Sequence, residues 1–182
     1  DSNLVIPSLF NQTVCHLELE EGEQALTAID RYLELLPENA AEKHLLDGRF
    51  KRGAALMQLK RYEEAAEVFD VLIVDTKKPA DQIEALVDSG VAHFMLEDRV
   101  TSEYRFLKAR RIHDKASKLE RLQVKFFLGQ AQFYLAEIAR LEFSEFKLRY
   151  PTAEELAKAD APEAMLGQQL ETKCQLLLRA QY

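Results

Sequence analysis

The chain has 182 residues, with 24 Lys plus Arg against 31 Asp plus Glu and a net charge of −7. That balance argues against a general nucleic-acid binder, which needs a basic surface. No apolar run reaches the ~18 residues of a membrane span, and a sequence with few Gly and Pro but much Ala, Leu, Glu and Lys favours helix.

Taken in order, residues 4–20 are predicted to form a first helix carrying Leu9, Phe10, Val14 and Leu17. Glu21-Gly22 is its turn, and 23–36 is a partner helix with Ala25, Ile29, Tyr32 and Leu36, stopped by Pro37. Asn39 is the candidate cap of a third helix that runs to about Leu59. Inside it stands Gly53, where Gly costs ~1 kcal/mol relative to Ala; the expected reason is close approach of a second helix. Lys60-Arg61 is a turn, and Tyr62 opens a helix whose Ala65, Phe69 and Leu72 recur on one face. Lys77-Lys78-Pro79 is a break.

Asp81 is the candidate cap of the next helix, which carries Ile83, Leu86, Val87, Gly90, Val91 and Phe94. After the turn Glu97-Asp98-Arg99, a helix contains Tyr104, Phe106, Leu107 and Ala109. A further helix contains Phe126, Phe127, Gly129, Phe133 and Tyr134. A tight turn is expected near Ala136–Arg140, although no Gly or Pro marks it; the alternative is one long helix. A loop near Asp160-Ala161-Pro162 starts the last helix, about 162–181, whose Ala164, Met165, Leu170, Cys174, Leu177 and Leu178 suit a terminal cap. The chain opens at Asp1 without Met, as expected of a processed or excised form, and its end has the pattern of a helix cut short.

The spacing points to a repeat. Gly53 and Gly90 are 37 apart, Gly90 and Gly129 are 39 apart, and Ala25 and Ala65 are 40 apart. Gly53, Leu56, Tyr62, Ala65, Phe69 and Leu72 together resemble the tetratricopeptide repeat, a helix–turn–helix unit of about 34 residues. The resemblance implies an all-α fold: a right-handed superhelix of about four helix pairs, at approximately 4–37, 39–76, 80–114 and 117–150, plus a capping helix at 162–181, in a single domain. One pair cannot bury its own face, so the copies must stack. The fourth copy departs from the pattern, because Leu141 stands where Ala is expected and Glu145 where an aromatic is expected.

Catalytic and metal constellations are missing from the sequence. The four histidines, His16, His44, His93 and His113, are scattered, no His or Cys pair has zinc-ligand spacing, and there is no phosphate loop or nucleophile elbow. Cys15 and Cys174 are expected to be buried thiols acting as small hydrophobes. The expectation is a non-enzymatic scaffold without cofactor or metal. Its partner would be a protein or peptide rather than nucleic acid, with membrane association only indirect or through an anchor elsewhere.

In the family that this chain resembles, the first helix of each repeat lines an inner groove that meets the ligand. Mapped through the glycines, that lining is Phe50, Ala54, Met57 and Gln58, then Val87, Val91, Phe94 and Met95, then Phe126, Gln130, Phe133 and Tyr134, with Phe10, Val14 and Leu17 in the first copy. The partner-binding expectation rests on Phe50, Met57, Val87, Phe94, Phe126, Gln130, Phe133 and Tyr134. Such an apolar groove, without the Lys, Arg and Asn of a carboxylate clamp, suits an amphipathic or apolar segment. A basic run, with Arg105, Lys108, Arg111, Lys115 and Lys118 at its centre, offers a patch for an acidic partner or anionic head groups. The sequence texture is similar to bacterial periplasmic and outer-membrane members of the family. The alternatives are a self-assembling structural module and a regulatory domain of a larger protein.

Overall fold

The computed structural model describes residues 4–149, 152–158 and 162–179, with the side chains of 156–165 also set aside. The described residues form helices and no strand. Ala164 and Met165, expected in the terminal cap, therefore lie outside the described side chains. The chain divides into two compact units, Asp1–Ala131 and Gln132–Tyr182.

The first unit opens with six helices: α1 (Val5–Glu18), α2 (Gly22–Leu35), α3 (Glu42–Gln58), α4 (Tyr62–Asp75), α5 (Pro79–Met95) and α6 (Arg99–Lys115). Each packs on the next in sequence, and α1 also touches α3. Short connections force this antiparallel pairing, and the apolar face of each helix then closes on its neighbours.

The turns inside the three pairs are copies of one device. Glu20, Lys60 and Glu97 all have positive φ, at 59°, 59° and 63°. Around Lys60, the Lys60 amide donates to the Met57 carbonyl at 3.1 Å and the Arg61 amide to the Leu56 carbonyl at 2.9 Å. The amides of Glu20 and Glu21, and of Glu97 and Asp98, repeat the same pattern. This is the Schellman arrangement, which satisfies the orphan carbonyls of a helix end. Gly is the usual residue at its left-handed position, and here three charged residues take it.

Small residues set the closeness within pairs. A Cβ on Gly53 would meet the Phe69 ring, and one on Gly90 would come 2.6 Å from Phe106. Phe69 and Phe106 are both fully buried, and burying a Phe is worth about 1.5–3 kcal/mol. In the first pair Thr13 and Ile29, with the same spacing, are also fully buried. Thr13 satisfies its hydroxyl by donating to the Leu9 carbonyl at 2.9 Å. Contacts between pairs use the same economy of volume: Gly22 lies against Leu59, and Gly48 against Tyr32 and Leu33. Gln58 donates to the Leu17 carbonyl at 2.8 Å, and Arg52 pairs with Asp30 at 2.8 Å.

Two expected caps are not caps. The N-cap positions of α3 and α5 belong to Ala41 and Lys78, and neither makes a side-chain cap bond. Pro79 occupies the start of α5, where its fixed φ and missing N–H are harmless. Asp81 is thereby moved into the first turn. Asn39 falls in the turn where the Ala40 amide donates to the Pro37 carbonyl.

The fourth copy does not repeat the design. A short α7 (Lys118–Gln123) is followed by α8 (Lys125–Glu145), which runs unbroken through 136–140. The expected turn there is absent, as nothing in that stretch stops a helix. A Cβ on Gly129 would meet nothing within 4 Å, and exposed Glu145 stands where Phe69 and Phe106 stand in the other copies. The small-residue–aromatic lock thus belongs to α3–α4 and α5–α6.

The second unit holds the rest of α8, α9 (Ala153–Lys158) and α10 (Pro162–Arg179). Within it α10 runs antiparallel to the end of α8. Arg179 pairs with Glu142 at 3.1 Å, Lys173 sits 5.0 Å from the Phe143 ring centre, and Gln169 accepts from the Arg149 amide at 2.8 Å. The apolar residues expected to seal a cap are open: Leu170, Leu177 and Leu178 are exposed. Both cysteines are unbonded and exposed rather than buried; Cys174 lies on the same open face of α10 as Leu170, Leu177 and Leu178.

Candidate functional site

A cleft of about 460 Å³ lies between α1, α3 and the start of α5. Phe10, Leu46 and Phe50 supply its apolar surface. Lys43, Asp47 and Lys51 follow at helical spacing along α3, with Asp81 and Glu84 on α5 and Lys77 and Lys78 at its mouth. An adjoining apolar cavity of about 450 Å³ shares Phe10, Lys43 and Asp47 and adds Ile6, Tyr32 and Leu36.

The carboxylates of α5 are unusual. Burial pushes Glu84 up to about 7; Lys51 opposes the rise, and Asp81 and Asp47 add to it. One turn further along, burial pushes Asp88 up to about 8, reinforced by Glu84 and opposed by Lys51. The cause is desolvation of a charge, compounded by a like charge one turn away. Their neighbours on α5 include buried Ile83, Ala85, Leu86 and Val87, and Lys51 is the cation that opposes the rise at both Glu84 and Asp88. This acidic stripe can bind a cation-bearing side chain or hold protons near neutral pH.

A second polar cluster joins α4, α5 and α6. Asp70 accepts from Ser89 at 2.7 Å and pairs with Arg105 at 2.9 Å. His93 lies between two carboxylates, 3.7 Å from Asp70 and 3.3 Å from Asp98. Asp98 also caps α6 by accepting from the Thr101 amide, and hydrogen bonds from the Thr101 side chain and then its amide hold the Asp98 carboxyl below the usual range. The cluster is a structural tie between helices: Ser102 likewise donates to the Gly90 carbonyl at 2.8 Å. Among the described residues no group of His, Cys, Asp and Glu could hold a metal ion, and no helix is long and apolar enough to cross a membrane.

The cleft contains one of the expected contact residues, Phe50, joined by Phe10 of the first copy. Met57 and Phe94 lie toward the other ends of α3 and α5 and are half-buried. Val87 is fully buried in the core and offers no surface to a ligand. Phe126 is 74% exposed and Gln130 half-buried on α8. In the second unit, Phe133 is exposed and stacks edge-on against Tyr134, with ring centres 5.3 Å apart. Of the basic patch, Arg105 turns inward to Asp70 and Lys108 is half-buried, whereas Arg111, Lys115 and Lys118 are exposed.

The lining expected from the glycines was apolar, but the cleft is mixed. The residues missed were Lys43, Asp47 and Lys51 at i, i+4 and i+8, and Asp81, Glu84 and Asp88 at i, i+3 and i+7. Both are single-face charge stripes on first helices of consecutive pairs, a signal present in the sequence. Comparison with protein-family models, with curated proteins and with solved structures finds no match.

Proposed function

We propose that this chain is a non-enzymatic interaction scaffold of the tetratricopeptide kind, whose first three helix pairs stack as repeats of a right-handed superhelix. The cleft of α1, α3 and α5 is its ligand groove. The observation that carries this reading is the cleft itself: successive first helices contribute an apolar strip, Phe10, Leu46 and Phe50, beside the opposed stripes of Lys43–Asp47–Lys51 and Asp81–Glu84. The occupant is an amphipathic segment of another polypeptide. Its apolar side chains lie on Phe10 and Phe50, and a Lys or Arg reaches the α5 carboxylates. Desolvated charges of this kind give specificity more than raw affinity.

The test is affinity capture from the source cell with the wild-type chain and Phe50→Asp as parallel baits, with helicity checked by circular dichroism. The reading expects a protein retained by the wild type and lost from the variant. Retention of the same proteins by both baits overturns it.

A further inference from the structure

We infer that the elbow between α6 and α8 is a docking face for an anionic lipid bilayer, separate from the cleft. Leu119, Leu122 and Phe126 stand at i, i+3 and i+7 and are 67%, 64% and 74% exposed. These are large apolar side chains left in water on the two sides of one elbow, Leu119 and Leu122 a turn apart on α7 and Phe126 in the first turn of α8. Lys118, Arg121 and Lys125 each precede one of them by a single position and are exposed, so a basic side chain flanks each apolar one. Between positions 105 and 125 the chain has eight basic and two acidic side chains, against the acidic balance of the whole.

The elbow is held rigid from beneath. Ser117 and Glu120 form a reciprocal capping box that starts α7. Arg121 donates to the Ala116 and Asp114 carbonyls and ties α7 back to α6. Val124, where α7 meets α8, is buried. Glu120 keeps its charge but is held to the start of α7, its carboxylate accepting from the Ser117 hydroxyl and amide, and three basic side chains flank it on α7 and α8. Asp114 is the other acid of the stretch, and His113 lies beside it at 3.3 Å.

Apolar side chains that project beside basic ones match the chemistry of an anionic bilayer surface: the former enter the acyl boundary while the lysines meet the head groups. A purely acidic segment would satisfy the charges but leave the three projecting apolar side chains in water. The cleft is not needed for this contact.

The test is sedimentation of the whole chain with vesicles of phosphatidylcholine alone and with vesicles containing about one third phosphatidylserine. The expected result is binding to the anionic vesicles at least ~10-fold above the neutral ones, weakened by salt. Lys115→Gln, Lys118→Gln and Lys125→Gln should each lower it about fivefold. Leu119→Ala/Leu122→Ala/Phe126→Ala, at exposed positions that keep the fold, should abolish binding that persists at high salt. Absence of vesicle binding overturns the inference, as does equal binding to both vesicle types or indifference to the apolar substitutions. Two further outcomes also overturn it: binding of soluble polyglutamate in place of vesicles, and a dimer in solution that the apolar triple variant dissociates.

Discussion

Phe69 lies so close over Gly53 that a Cβ placed there would stand 2.5 Å from two of its ring atoms. The ring is fully buried and has no room to retreat. Gly53→Ala should therefore destabilise by about 1–3 kcal/mol through overpacking, despite alanine's better helix propensity. Gly129→Ala meets open space in α8 and should stabilise by about 0.5–1 kcal/mol. Urea midpoints of the two variants check this, and shifts of the same sign would count against the packing account.

The left-handed residues of the three turns give a second prediction. Lys60 holds a φ that costs an L-residue roughly 1–2 kcal/mol. Lys60→Gly should raise stability by about 0.5–1 kcal/mol, part of the relief being offset by the freer unfolded chain. Lys60→Val should lower it. Thermal melts read both directions.

The acidic stripe of α5 predicts a pH dependence. Glu84 and Asp88 titrate near 4 when unfolded but at about 7 and about 8 in the fold. Between those values the native chain binds more protons than the unfolded one, so stability falls as pH rises. Glu84→Gln and Asp88→Asn remove the penalty. Each should be more stable than wild type at pH ~9, by on the order of 1–3 kcal/mol, and the gain should vanish below pH ~4. Denaturant titrations across that range measure it; a gain independent of pH would contradict the assignment.

Asp70 ties three helices through Ser89 and Arg105. Asp70→Ala leaves the Arg105 charge largely buried and without its carboxylate, and should cost about 2 kcal/mol or more. Glu64→Ala removes an exposed pair with Arg61 and should leave the urea midpoint nearly unchanged.

The helix pairs were legible in the sequence because their signals are local. Gly53 and Gly90 inside apolar stripes, Tyr62 after a polar turn and Pro79 after a lysine pair each mark a feature of one helix or one turn. The uninterrupted course of α8 was carried only by the absence of any stop signal between Phe133 and Glu145. The glycine register broke at Gly129 because the partner aromatic, sixteen residues on, is Glu145. The cleft was legible in part. Phe50 was placed by analogy, but the expected lining followed apolar residues into the core at Val87. The carboxylates that distinguish the cleft resemble any solvated face in a sequence, and only packing reveals that Glu84 and Asp88 are desolvated. Arg105 shows the reverse: a residue of a basic run is committed inward, to a carboxylate on another helix.

The most direct test of the scaffold reading is site-specific photo-crosslinking in the source cell, with a photoreactive phenylalanine analogue at Phe50 in the cleft and at Val74, which is 82% exposed on α4. The account predicts a discrete crosslinked polypeptide from position 50, absent from position 74 and lost when Glu84→Gln and Lys51→Gln are added. The same products from both positions, or a product at 50 indifferent to those changes, would contradict it.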